Sequence, residues 1–227
     1  MNVYDIFNIN GRKAIVTGAG RGIGKVLAMA LAEAGCDVAL FGLHRENLEE
    51  VSADIKKLGQ KSIVIQGDVS RKDDVKKAFT AVDKEFKRLD ICVNNAGISM
   101  QKPLEDMPEE DWNKIIDVNM KGVFFCSQEA ARLMIPRKSG SIINIGSISA
   151  RIVNIPQPQA VYNTSKAAVV MLTQTAAVEW APHGIRVNAI SPGYMKTEMV
   201  LSSMSHLFPT WEGLTPLKRL GTPEELR

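Results

Sequence analysis

Thr17-Gly18-Ala19-Gly20-Arg21-Gly22-Ile23-Gly24 follows the apolar run Ala14-Ile15-Val16 and opens an amphipathic stretch over 22–34. A strand, a glycine-rich turn and a helix, in that order, let a backbone bend sharply and take an anion against itself. No side chain holds the anion off, and the helix start offers unpaired N–H groups and the positive end of its dipole. The turn alone is weak; the strand before it and the helix after it are what the motif requires. The plain alternative is a tight turn without a ligand.

Outward from this turn the pattern repeats. Strand-like runs stand at 38–41, 62–65, 89–93, 141–145 and 185–190, and helical stretches at 46–58, 72–87, 109–136 and 160–181. The strands are continuously apolar, which is the mark of strands covered on both faces. Strand–helix alternation of this kind predicts an α/β fold, a Rossmann-like doubly wound parallel sheet flanked by helices. With no linker, repeat or low-complexity segment, residues 1–227 read as one domain.

Composition agrees and excludes other classes. The 227 residues carry 28 Lys+Arg and 25 Asp+Glu, a net charge of +3, with 45% hydrophobic and 23% charged residues. That balance leaves no electrostatic footprint for nucleic acid or an anionic membrane, and no apolar run reaches the roughly 18 residues of a membrane span. Met1-Asn2-Val3-Tyr4-Asp5 lacks the features of a signal peptide. Cys36, Cys92 and Cys126 are odd in number and far apart, which fits reduced core thiols in a cytoplasmic protein and no metal site.

The glycine turn has the spacing T-G-x-x-x-G-x-G, which resembles the short-chain dehydrogenase/reductase family. Asn94-Asn95-Ala96-Gly97, Val118-Asn119-Met120, Tyr162-Asn163-Thr164-Ser165-Lys166 and Ser191-Pro192-Gly193 continue the resemblance in order over nearly the whole chain. It implies a nicotinamide cofactor held by Gly18, Arg21, Gly22, Ile23, Gly24, Asp68, Val69, Asn94, Gly97, Tyr162, Lys166, Pro192, Gly193 and Thr197. Asp68 would meet the adenine amine, though it also suits a cap for the helix near Ser70. The family's last helix and strand have no counterpart before Arg227. Thr222-Pro223-Glu224-Glu225 reads as a helix start with nothing after it, which suggests a truncated chain, with a frayed tail as the alternative. In relatives those last elements build a subunit interface, so a homodimer or homotetramer is expected but in question.

The second strand ends Phe41-Gly42-Leu43-His44-Arg45, without the carboxylate that would bind a ribose 2′-hydroxyl. Arg21 and Arg45 instead match the geometry of a 2′-phosphate. NADP(H) is therefore expected, and NAD(H) follows if both arginines are solvated surface charges.

Tyr162 and Lys166 are four apart and share one helix face. Phenols ionise near pH 10, so an ammonium beside Tyr162 should lower its pKa and allow proton exchange with a substrate oxygen. The resemblance makes Tyr162, Lys166, Asn119 and a serine the catalytic set, with Asn119 kinking its helix and relaying protons through water. The serine is Ser147 by position after the fifth strand, or Ser149 by spacing from Tyr162. Ser147, Ser149, Asn154, Gln157 and Tyr162 are the candidate substrate contacts. The loop 194–215, with Met195, Met199, Met204, Phe208 and Trp211, is either a substrate lid or a patch packed on a neighbouring subunit. Pro156-Gln157-Pro158-Gln159 resembles members acting on sugars, sugar acids and polyols. A 3-oxoacyl thioester or other ketone is the enzymatic alternative, and a non-catalytic nucleotide-binding scaffold is the alternative of another class.

Overall fold

Continuously apolar strands can only pair inside a sandwich of helices, and that is the arrangement found in the computed structural model, which describes residues 2–227. Met1, where the expected domain begins, lies outside the described residues. The elements run α1 (Val3–Ile6), β1 (Lys13–Thr17), α2 (Gly22–Glu33), β2 (Asp37–Gly42), α3 (Arg45–Lys57), β3 (Ser62–Gln66), α4 (Lys72–Phe86) and β4 (Ile91–Asn94). They continue with α5 (Glu109–Ile116), a π turn (Asp117–Lys121), α6 (Gly122–Met134), β5 (Gly140–Ile145), α7 (Ala160–Trp180), β6 (Ile185–Ile190), α8 (Glu198–Ser203) and α9 (Phe208–Leu214). Six strands form one parallel sheet in the order β3-β2-β1-β4-β5-β6.

Alternate residues of each strand feed opposite cores. Ala14, Val16, Val38 and Leu40 pack with Leu27 and Ala28 of α2 and Leu48, Val51 and Ile55 of α3. Ile15, Ala39 and Phe41 face the other way, onto Val75, Phe79 and Val82 of α4 and Ala130 and Met134 of α6. Burial on both faces explains why these strands show no polar alternation. Cys36, Cys92 and Cys126 are buried, and burial pushes the Cys36 thiol up to about 11.

Several expectations change in detail. The strand expected over 89–93 is β4 from Ile91, and just before it the Asp90 carboxylate accepts from Lys13 N (2.8 Å) and from both donor arms of Arg88 (2.8 and 2.6 Å). The stretch 109–136 is not one α-helix. It is broken by the π turn around Asn119 and ends at Met134, before a 3₁₀ turn containing Pro136. The segment 194–215, expected as a loop, holds α8 and α9, with Thr197 capping α8 through Val200 N (3.4 Å). Its buried Leu207 and Trp211 join Leu220 in a small separate core. The start signal at Thr222 begins a 3₁₀ turn, Pro223–Leu226, whose Glu225 carboxylate accepts from Thr222 N (2.8 Å). That turn docks on α2 and does not fray, with Leu226 set against the core beneath it.

No helix among the described residues is long and apolar enough to cross a membrane. No group of three His, Cys, Asp or Glu among them is placed to hold a metal ion.

Candidate active site

In a sheet of this order the connections leave in opposite directions from β1 and β4, and the crevice between their carboxyl ends is the natural ligand site. A cavity of about 1140 Å³ opens there, ample for a dinucleotide together with a small substrate.

The glycine turn forms one wall. Gly22 has φ +54°, and a Cβ added to it would meet only Thr197, at 3.7 Å, so the bare backbone faces the cavity. At Gly24 an added Cβ would stand 2.2 Å from Gly18 O and 2.4 Å from Asn95 Nδ2, so the helix starts where only glycine fits. Asn95 ties this wall to the strand-4 side. Its Nδ2 donates to Thr17 O (3.0 Å) and Gly18 O (3.3 Å), while Thr17 Oγ1 accepts from Asn95 N and Ala96 N (3.0 Å each). This backbone cradle, open at a helix N-terminus, fits a dinucleotide's pyrophosphate.

Most residues expected at the cofactor line the cavity: Gly18, Arg21, Gly22, Ile23, Gly24, Asp68, Val69, Gly97, Tyr162, Lys166, Pro192, Gly193 and Thr197. Asp68 also accepts from Ser70 N (2.8 Å), so it makes the turn-capping contact as well. Two expected residues stand elsewhere. Asn94 turns into the interior, donating to Ser127 Oγ (2.9 Å) and Asn144 Oδ1 (2.8 Å), because strand alternation gives the cavity to its neighbour Asn95. Arg45 is exposed and pairs with Glu49 one helical turn on (2.7 Å), outside the cavity lining. Arg21 and His44 are the basic side chains left at that end. The sequence reading missed Asn95, although its position after β4 was there to be read.

Tyr162, Lys166, Ser147 and Asn119 come together. Lys166 is 4% exposed; its Nζ donates to Ile145 O (2.7 Å) and lies 5.7 Å from the centre of the Tyr162 ring. Burial pulls the Lys166 ammonium down to about 8. Asn119, fully buried in the π turn, donates to Ile98 O (2.9 Å) and Ser165 Oγ (3.0 Å) and accepts from Ile98 N (2.8 Å). Ser165 Oγ in turn donates to the Tyr162 carbonyl (2.7 Å). Asn119 and Lys166 meet at Gly97, where an added Cβ would be 3.3 Å from Asn119 Oδ1 and 3.5 Å from Lys166 Nζ.

Of the two candidate serines, Ser147 is the one hydrogen-bonded to Tyr162. Its Oγ also lies 3.0 Å from Ser149 Oγ and accepts from Ser149 N (3.1 Å). Ser149 Oγ is held instead by Gln159 Nε2 (3.3 Å). The expectation of an acidified phenol needs correction for the protein alone. Burial raises the Tyr162 pKa above its usual value and outweighs the lowering by the Ser147 hydrogen bond. The nearby ammonium is aimed at Ile145 O and does not reverse this.

Residues 12–207 match the family model described as short chain dehydrogenase. The chain is 42% identical over 229 residues to galactitol 2-dehydrogenase of Rhizobium johnstonii, covering 100% of this chain and 89% of that protein. It is 40% identical over 216 residues to a 3-oxoacyl-acyl-carrier-protein reductase of Staphylococcus epidermidis, covering 95% and 88%. The structure of a gluconate 5-dehydrogenase from Burkholderia cenocepacia, in complex with NADP and tartrate, superposes with a TM-score of 0.92 at 35% identity, covering 99% of this chain and 88% of that one.

Proposed function

The chain belongs to the short-chain dehydrogenase family and is an oxidoreductase acting on CH–OH groups, and on that premise we propose that it interconverts a secondary alcohol and a carbonyl of a sugar, sugar acid or polyol with NADP(H). Residues 1–227 act in this reading as one dinucleotide-binding unit. The observation that carries it is the convergence of Tyr162, Ser147 and Lys166 on the cavity that also holds the glycine cradle.

A bound nicotinamide supplies or accepts the hydride. Tyr162 exchanges the proton at its phenol oxygen with the substrate oxygen, and Ser147 holds that oxygen in place. A phenol raised by burial is protonated at neutral pH, which suits donation to a carbonyl in the reductive direction. Lys166, cationic below about pH 8, stabilises the phenolate left behind. Asn119 holds Ser165 and the 98 backbone in register behind this pair, and relays protons toward Lys166 through water.

The NADP(H) preference is supported by Arg21 in the lining, by the absence of a carboxylate after β2, and by the NADP-bound relative. Arg45 gives it no support. The amide-rich lining from Asn154, Gln157 and Gln159 supports a polyhydroxylated substrate, as does the galactitol 2-dehydrogenase relative. The 3-oxoacyl reductase relative keeps a thioester substrate in the test. Exposed Phe124 on α6, with Met171 and Val178 on α7, supports self-association into a homodimer or homotetramer, which sedimentation would read directly.

The purified chain is expected to oxidise NADPH with a ketose or keto acid, followed by nicotinamide absorbance. Turnover of a 3-oxoacyl thioester alone would overturn the substrate reading. Tight NADPH binding with no turnover of any carbonyl would overturn the enzymatic one.

A further inference from the structure

Trp211 in the lid core is 3% exposed, and its indole Nε1 donates to Gln157 Oε1 at 3.1 Å. An indole N–H can only donate, so it fixes which end of the Gln157 carboxamide is oxygen. The NH₂ end, which makes no hydrogen bond to a described residue, is thereby the end offered to the cavity that Gln157 lines. The same indole stacks on Tyr194, with ring centres 4.4 Å apart and planes 8° apart. Tyr194 OH accepts from Asn154 Nδ2 (3.1 Å), and Asn154 Oδ1 accepts from Gln159 Nε2 (2.8 Å). Lid and pre-tyrosine loop are thus one hydrogen-bonded unit.

The unit is neutral. Among the cavity-lining residues of 145–159 and 192–211 none carries a positive side chain, and Glu198 adds a negative one. A carboxylate held there would meet amide and phenol donors but no cation to offset its desolvation, with Glu198 adding a like charge, whereas hydroxyl oxygens need only the donors. We propose that Trp211 is a positioning residue that orients Gln157 to donate to a hydroxyl oxygen of a neutral polyhydroxylated ketone or alcohol, so that the Trp211–Gln157 pair selects neutral ketoses and polyols over sugar acids and plain ketones. This rests on the reductase reading above.

The test is steady-state NADPH oxidation with three probes: D-fructose, 5-keto-D-gluconate and cyclohexanone. Wild-type kcat/KM is expected to be highest for D-fructose. Trp211→Phe keeps a ring for Tyr194 but removes the N–H. It is expected to lower the D-fructose to cyclohexanone ratio of kcat/KM about tenfold, the loss expected for one hydrogen bond in a buried site, with the change in KM and not kcat. Gln157→Glu keeps the acceptor for the indole, loses the donor, and should give the same fall even if Trp211→Phe does not fold. The two changes combined should lose no more than either alone. Equal losses on both ketones, additive losses, or no loss would overturn the positioning role, and preference for 5-keto-D-gluconate would overturn the neutral substrate. Those outcomes leave the reductase reading standing; no NADPH oxidation with any of the three would overturn both.

Discussion

Leu40 and Phe41 in β2 lie on opposite faces of the sheet, each sunk in a large core, whereas Trp211 in α9, within the proposed lid, shares its cluster with Leu207 and Leu220. Both regions line or support the same cavity. The sheet side holds its backbone by parallel ladders and by the Asn95–Thr17 stitch. The lid side is held by side-chain bonds from Trp211 and Tyr194 to the loop before α7. In the proposed reading, the wall that presents bare backbone to an anion gains from rigidity, and the wall that reads the substrate can change residue by residue. In that reading the contrast separates where stability resides from where specificity does.

Damage to the sheet side should be the more costly. Phe79→Ala, in the core under α4, is expected to lower stability by about 3–5 kcal/mol in equilibrium urea unfolding. Leu207→Ala in the lid should cost nearer 2 kcal/mol and show first as faster amide exchange over 198–214. Comparable global losses at the two sites would erase the distinction. Gly24→Ala forces a Cβ into Gly18 O and should cost about 1–3 kcal/mol while weakening NADPH binding, measured by cofactor fluorescence.

Lys166 sharpens the comparison through pH. Burial lowers its folded pKa to about 8 against an unfolded value near 10.5. The ammonium therefore opposes folding fully below pH 8, and that penalty is relieved as pH rises from 8 to 10.5. Relative to Lys166→Met, the wild-type chain should gain about 2 kcal/mol of stability between pH 8 and 10, read from urea midpoints. A flat difference would mean the amine is solvated. The smallest effect belongs to Arg45→Ala, which should leave NADPH affinity unchanged because that guanidinium pairs with Glu49 outside the cavity. Arg21→Ala should weaken NADPH more than NADH.

The same contrast governed how much could be read from the chain. The sheet was legible because each strand is a short apolar run between turn signals, and the glycine spacing marks the end of β1 where the crevice opens. Tyr162 and Lys166 were legible because the family resemblance singles out this pair and helical spacing puts both on one face. The inward turn of the Asn94 side chain was hidden because a motif names neighbours without saying which side of the strand each takes. The lid was opaque because α8 and α9 are short and irregular, and their order comes from contacts such as Trp211–Gln157 that join residues 54 apart. The direction of the Tyr162 shift was hidden for a related reason: spacing gives proximity to an ammonium, but only the packing gives the desolvation that opposes it.

The central claim is that the Tyr162 phenol moves the proton in a carbonyl reduction. Its most direct test is Tyr162→Phe, assayed for NADPH oxidation with the best ketone substrate and, in parallel, for NADPH affinity. Activity should fall on the order of 10³-fold with affinity kept within about twofold of wild type. Activity within tenfold of wild type would contradict the account.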